Sequence, residues 1–147
     1  MTADLRERVA AYAACFEQMT PTTVSRLREV AAANVRFKDP FNDVRGIERM
    51  ERCMHAMFAD ATDVRFKILH WAVDGEVAYL RWRFWFRPRR LRAKRPWEVE
   101  GVSELRFDAA GLVTEHIDHW DAASQFYARL PVLGSVIRWV QGRLRVQ

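Results

Sequence analysis

At Val64 the apolar residues of this 147-residue chain change their period. Before it they recur at helical spacing. After it they alternate in four stretches separated by turn signals. Val64–Val73 and Val77–Phe86 flank Asp74-Gly75, a dipeptide suited to a two-residue hairpin. Trp97–Phe107 and Leu112–Trp120 flank Asp108-Ala109-Ala110-Gly111. Parallel pairing needs a crossover of about a dozen residues or more, and none of these connections reaches that length. The second half of the chain is therefore expected to be a four-stranded antiparallel meander.

The first half reads differently. Asp4 with Glu7 resembles a capping box, followed by Leu5, Val9, Tyr12, Phe16 and Met19 on one helical face. Thr20-Pro21 then suggests an N-cap and first position of a second helix, with Val24, Leu27 and Val30 as its apolar face. Asn34 to Asp39 alternates as a short strand that Pro40 ends, with Val35, Phe37 and Asp39 on one side. A turn through Asn42, Asp43 and Gly46 leads to a third helix that buries Ile47, Met50, Met54, Met57 and Phe58. A C-terminal helical region, interrupted near Pro131 and Gly134, closes the chain. Helices segregated to one face of a curved antiparallel sheet make an α+β domain, expected to span 1–147 as one unit. Such a sheet, strongly bent and closed by helices, would enclose a cone-shaped cavity.

Half of the residues are hydrophobic and 29% are charged, which suits a soluble globular protein. Six Trp and nine Phe exceed what packing requires in a chain of this size, so some are expected to line a pocket. No apolar run approaches the ~20 residues of a bilayer span, and the N-terminus lacks the apolar stretch of a signal peptide. The expected location is the cytoplasm. Cys15 and Cys53 have no CxxC spacing and read as small buried hydrophobes. The net charge of +5 is local: Arg87, Arg89, Arg90, Arg92, Lys94 and Arg95 cluster on one loop. Without interleaved aromatics this loop does not read as a nucleic-acid footprint, but it could steer an anionic substrate. After Asp121 there is no acidic residue, and Leu133, Val136, Ile137, Val140 and Leu144 form a stripe beside Trp139. Such a stripe usually covers a sheet or makes a dimer contact. A membrane is not an expected partner, although a peripheral role stays open.

Two segments carry the chemistry: Lys38-Asp39-Pro40-Phe41, and His116-Ile117-Asp118-His119-Trp120-Asp121. Both place carboxylates among apolar residues, where ionisation is costly. Asp39 reads either as a pocket carboxylate in phase with Val35 and Phe37, or as the cap of an Asp-Pro turn. His116, Asp118 and Trp120 share one strand face, about 6.5–7 Å apart in steps of two. That spacing predicts no direct bond between His116 and Asp118, but lets both reach one substrate, His116 as proton shuttle and Asp118 as partner or base. The competing reading ties Asp118 and Asp121 to Arg81 or Arg83. His55 and His70 read as core or surface residues, and no metal site is expected. In Val77–Phe86 the aromatic side of Trp82, Phe84 and Phe86 opposes Arg81, Arg83, Trp85 and Arg87, and either could face inward.

The element order, Phe37-Lys38-Asp39-Pro40-Phe41 followed by Gly46-Ile47, and Leu105-Arg106-Phe107-Asp108 … Gly111 running into Asp118-His119-Trp120-Asp121 together resemble the nuclear transport factor 2-like superfamily. Within it, the chain is similar to the SnoaL-like polyketide cyclases and ketosteroid isomerases. The resemblance implies a cone-shaped curved antiparallel sheet wrapped by N-terminal helices (a cystatin-like α+β barrel), with an added C-terminal helix. It also implies a homodimer and cofactor-independent acid–base chemistry, of isomerase or cyclase type, on a small apolar carbonyl or polycyclic compound. Asp39 falls where ketosteroid isomerases keep their proton-shuttling aspartate. Ser103 falls where they keep a protonated aspartate, and Phe16 near their oxyanion tyrosine. With both oxyanion donors replaced, ketosteroid isomerase activity itself is not expected. Asp118 and Asp121 lie where the cyclases place an acid–base aspartate. The expected site is Asp39, His116 and Asp118 for catalysis, with Phe16, Phe37, Trp82, Phe84, Ser103 and Trp120 against the ligand. A non-catalytic ligand-binding or protein-interaction module of the same fold is the alternative.

Overall fold

The computed structural model describes residues 2–146. Helix α1 spans Thr2–Glu17 and buries Val9, Tyr12, Ala13 and Phe16, with Met19 buried just beyond it. Asp4 lies inside its first turn and pairs with Arg8 at 3.6 Å, so the expected capping box does not form. The helix simply begins earlier than that motif. Thr20-Pro21 likewise does not start a helix. Thr20–Thr23 is a turn closed by Thr23 N–H on the Thr20 carbonyl (3.0 Å) and Thr20 N–H on Thr23 Oγ1 (2.8 Å). Threonine hydroxyls offer the backbone this local alternative to a helix. A 3-10 turn at Val24–Arg26 and one helical turn, α2 (Leu27–Val30), follow. Val24 and Leu27 are fully buried there.

Strand β1 (Ala31–Lys38) turns at Asp39–Asn42 into β2 (Asp43–Arg45), which pairs back antiparallel with Phe37 opposite Val44. The three residues of β2 are too few to show a period, which is why that stretch reads as a plain turn. Gly46, at φ 105°, admits the reversal into α3 (Ile47–Asp60). The meander is then β3 (Ala61–Asp74), β4 (Val77–Pro88), β5 (Trp97–Phe107) and β6 (Val113–His119), each antiparallel to the next. The sheet order is β2-β1-β6-β5-β4-β3. Because β1 lies parallel to β6, the curved sheet is mixed rather than wholly antiparallel. A short α4 (Ala122–Gln125), a 3-10 turn at Tyr127–Arg129 and α5 (Leu133–Leu144) complete the chain. The α+β cone wrapped by helices is the expected fold.

One sheet face is the core. Val9, Tyr12, Val24, Leu27, Val35, Met50, Leu80, Leu105 and Val113 are wholly buried between α1, α2, α3 and the sheet. Each such side chain contributes roughly 1.5–3 kcal/mol by leaving water. The opposite face carries charge: Arg81 and Arg83 reach Glu100 at 3.0 and 2.8 Å, and Arg83 reaches Glu98 at 2.9 Å. These cross-strand pairs settle the phase of β4, turning Trp82, Phe84 and Phe86 inward. Among the described residues, no helix is long and apolar enough to cross a membrane.

Candidate active site

Beyond the core, the sheet and α3 leave a pocket of about 720 Å³. Alternate residues of β4 supply one wall: Leu80, Trp82, Phe84 and Phe86. Phe66 of β3 stacks on Phe84 (4.3 Å between ring centres), and Phe84 on Phe86 (5.0 Å), giving a continuous aromatic ladder. Phe41, Trp120 and Phe126 cluster edge-to-face at the pocket, with Phe41 half exposed. All nine residues expected from the sequence line this one pocket: Asp39, His116 and Asp118, with Phe16, Phe37, Trp82, Phe84, Ser103 and Trp120.

A chain of hydrogen bonds runs across its inner end. Tyr12 Oη lies 2.6 Å from His116 Nδ1, His116 Nε2 lies 2.7 Å from Asp118 Oδ1, and Ser103 Oγ donates to the same oxygen at 2.5 Å. Trp82 Nε1 donates to Ser103 Oγ at 2.9 Å. Burial, reinforced by the charge of Asp118, drives the Tyr12 phenol well above its ordinary 10.0, so it keeps its proton. Among the described residues its acceptor is His116 Nδ1, which fixes the imidazole proton on Nε2, aimed at Asp118. Every donor in the chain thus points toward Asp118 Oδ1. The imidazole is 3% exposed and ringed by Tyr12, Phe16 and Phe37 at 5.1–5.7 Å between ring centres.

The direct His116–Asp118 bond corrects the expectation drawn from strand spacing. The two Cα atoms are far apart, but the side chains lean along the strand and close the gap. The rival pairing with Arg81 or Arg83 does not occur, because both arginines are taken up by glutamates on the outer face.

Asp39 realises both of its readings at once. Its Oδ1 caps the turn, accepting from Phe41 N–H (2.8 Å), Asn42 N–H (2.7 Å) and Asn42 Nδ2 (3.2 Å), while among the described residues Oδ2 has only a 3.4 Å contact with Asn42 Nδ2. Burial raises its pKa above 3.8; the backbone donors pull it back, and the charge of Asp118 pushes it up again. Asp39 therefore senses the charge of Asp118 within the pocket.

Asp121 is outside the pocket. It is exposed and caps α4, accepting from Ser124 N–H at 3.0 Å, and that bond lowers its pKa. His55, His70 and His119 are exposed. Cys53 lines the pocket, but burial pushes its thiol upward, away from a reactive thiolate. From the basic loop, Arg90 and Leu91 reach the lining, while Arg87 turns toward Asp63 at 3.5 Å. Sequence reasoning missed Tyr12 as a site residue. Its place on the Phe16 face was visible, but a stripe of core residues gives no sign that one carries a partnered hydroxyl.

The sequence model of the SnoaL-like domain matches residues 9–116. No curated protein matches the chain in sequence. Among solved structures, an NTF2-like protein of Burkholderia pseudomallei superposes with a TM-score of 0.70 at 15% identity, over 82% of this chain and 93% of that one. A protein of ketosteroid isomerase-like fold from Catenulispora acidiphila, solved with trimethylamine, gives 0.68 at 20% identity, over 81% and 88%. An LEH-like epoxide hydrolase of Mycobacterium tuberculosis gives 0.64 at 16% identity, over 99% and 96%. At these identities the likeness is one of fold. The match over most of its length shows that this chain belongs to the SnoaL-like domain family, and its fold is that of the NTF2-like proteins.

Proposed function

We propose that this protein is a cofactor-independent proton-transfer catalyst acting on a small apolar carbonyl compound. The observation that carries this reading is the placing of Asp39 and Asp118 on one largely apolar pocket rich in aromatic rings. Asp39 is the proton shuttle. Its raised pKa makes it a stronger base than an ordinary carboxylate, and its turn bonds leave Oδ2 nearly free. Asp118 is held rigidly by Ser103 and His116 and serves as the second acid–base group, with His116 and Tyr12 behind it. The aromatic ladder binds the apolar body of the substrate and excludes water, which strengthens both electrostatic roles. A homodimer is part of this reading, as the resemblance implies.

Deuterium incorporation at the α-carbon of apolar cyclic ketones, followed by proton NMR in heavy water, tests it. Wild-type protein is expected to accelerate exchange. Asp39→Asn and Asp118→Asn should each lose roughly 10²–10⁴-fold, as befits a general acid–base group, while keeping the wild-type circular dichroism. Exchange no faster than buffer, or unchanged in both variants, would remove the two carboxylates from any such role.

One observation favours a second reading, a non-catalytic binding module. The inner-end donors, Tyr12, Trp82, Ser103 and His116, are already bonded within the chain that ends on Asp118, so none is set aside for a substrate oxyanion. Saturable binding of the same ketones without exchange would select this reading.

A further inference from the structure

The sequence places an apolar stripe on the last helix, and such a stripe normally turns inward. In the structure it does not. Helix α5 meets the body through its small and polar flank. Gly134 is buried so tightly against the Ala128 carbonyl that a side chain there would collide with it, Arg138 bonds to that carbonyl, and Gln141 Nε2 donates to Ser124 Oγ at 2.7 Å. Ile137 is half buried on the same side. The apolar stripe is rotated out: Val136 is 54% exposed, Trp139 63% and Leu144 78%, and Leu133 and Val140 are exposed as well. A helix that anchors by its polar flank and offers its apolar face to solvent is built to cover something else.

Charge identifies the occupant. From Ala122 to the end the sequence holds four arginines and no aspartate or glutamate. Arg143 lies over the Trp139 ring at 5.3 Å, its charge beside the apolar stripe. The strongly basic 87–95 loop neighbours the segment that leads into α5: Phe126 packs on both Phe86 and Trp97, which flank the loop, and Arg129 stacks over Trp97 at 5.4 Å. A second copy docking by the same face would bring arginine against arginine. An interfacial tryptophan, an aliphatic stripe and flanking arginines without acids are instead complementary to negatively charged lipid headgroups over acyl chains.

We propose that α5 docks this protein on the surface of an anionic lipid bilayer, with its apolar stripe in the headgroup–acyl boundary and its arginines on the headgroups. The docking is independent of whether the pocket is catalytic.

Co-sedimentation with vesicles of equal parts phosphatidylglycerol and phosphatidylcholine, against vesicles of phosphatidylcholine alone, tests this. The full chain should partition at least roughly tenfold more strongly to the anionic vesicles, and less as salt is raised. The double variant Val136→Glu/Val140→Glu changes exposed positions only, so it should retain the wild-type circular dichroism and remain in the supernatant. Absence of the wild type from the anionic pellet would overturn the proposal, and so would equal pelleting of the variant. Sedimentation velocity without lipid supplies a third arm. A wild-type dimer that the double variant dissolves would assign the face to a second copy and equally refute the bilayer.

Discussion

Tyr12 shows how much one hydroxyl can organise. It is wholly buried, and its hydrogen bond decides which imidazole nitrogen of His116 carries the proton. Tyr12→Phe leaves Nδ1 unpaired in an apolar shell, so denaturant unfolding should show a loss of about 1–3 kcal/mol. A loss under about 0.5 kcal/mol would mean that His116 turns to another partner. Asp39 makes a prediction of opposite character, because its pKa is raised above 3.8 on folding. The folded state holds this proton more tightly than the unfolded chain does. Stability linked to Asp39 is thus full below the unfolded pKa and is lost as pH rises through the folded one. The melting temperature of Asp39→Asn, measured relative to wild type, should therefore climb as pH rises above about 4 and then level off. A difference that is flat in pH would show that burial does not act on this carboxylate. Asp39, His116 and Asp118 were legible in the sequence as pocket-facing because polar residues fall in phase with the apolar positions of β6 and at the end of β1. The direct His116–Asp118 bond was not, since it depends on side-chain lean rather than on spacing.

At the scale of elements, β5 carries a vacancy that the pocket depends on. Gly101 lies between Val99 and Ser103 on the inward face, opposite Trp82 in the register with β4. A Cβ there would come within 2.6 Å of the Trp82 ring and 2.8 Å of Trp120 Cβ. The missing side chain is what lets the Trp82 indole cross to Ser103. Gly101→Ala should cost about 1–3 kcal/mol through overpacking and change the near-ultraviolet circular dichroism as Trp82 is displaced. Unchanged spectra and stability would show that the strand can shift to accept a methyl group. The long strands were readable because eleven to fourteen alternating residues leave little ambiguity. The three residues of β2 were not, because tertiary pairing alone defines a strand that short, and of the expected second helix only the end was right, its first residues forming a threonine turn.

For the whole molecule, local patterns specified the α+β class and the meander, whereas the parallel contact of β1 with β6 came from the structure alone. No local pattern announces a partner at that distance. The same pairing sets the order of assembly. The meander can form from neighbours in sequence, but joining β1 to β6 closes a loop of about eighty residues, a slow and entropically costly step. That step also brings Asp39 beside Asp118, with Phe37 opposite His116 in the register. Asp39 and Asp118 consequently stay apart until the last long-range closure is made. A nascent or half-folded chain carries both carboxylates without the pocket that joins them, and the proposed acid–base activity, if measured, would report on complete folding.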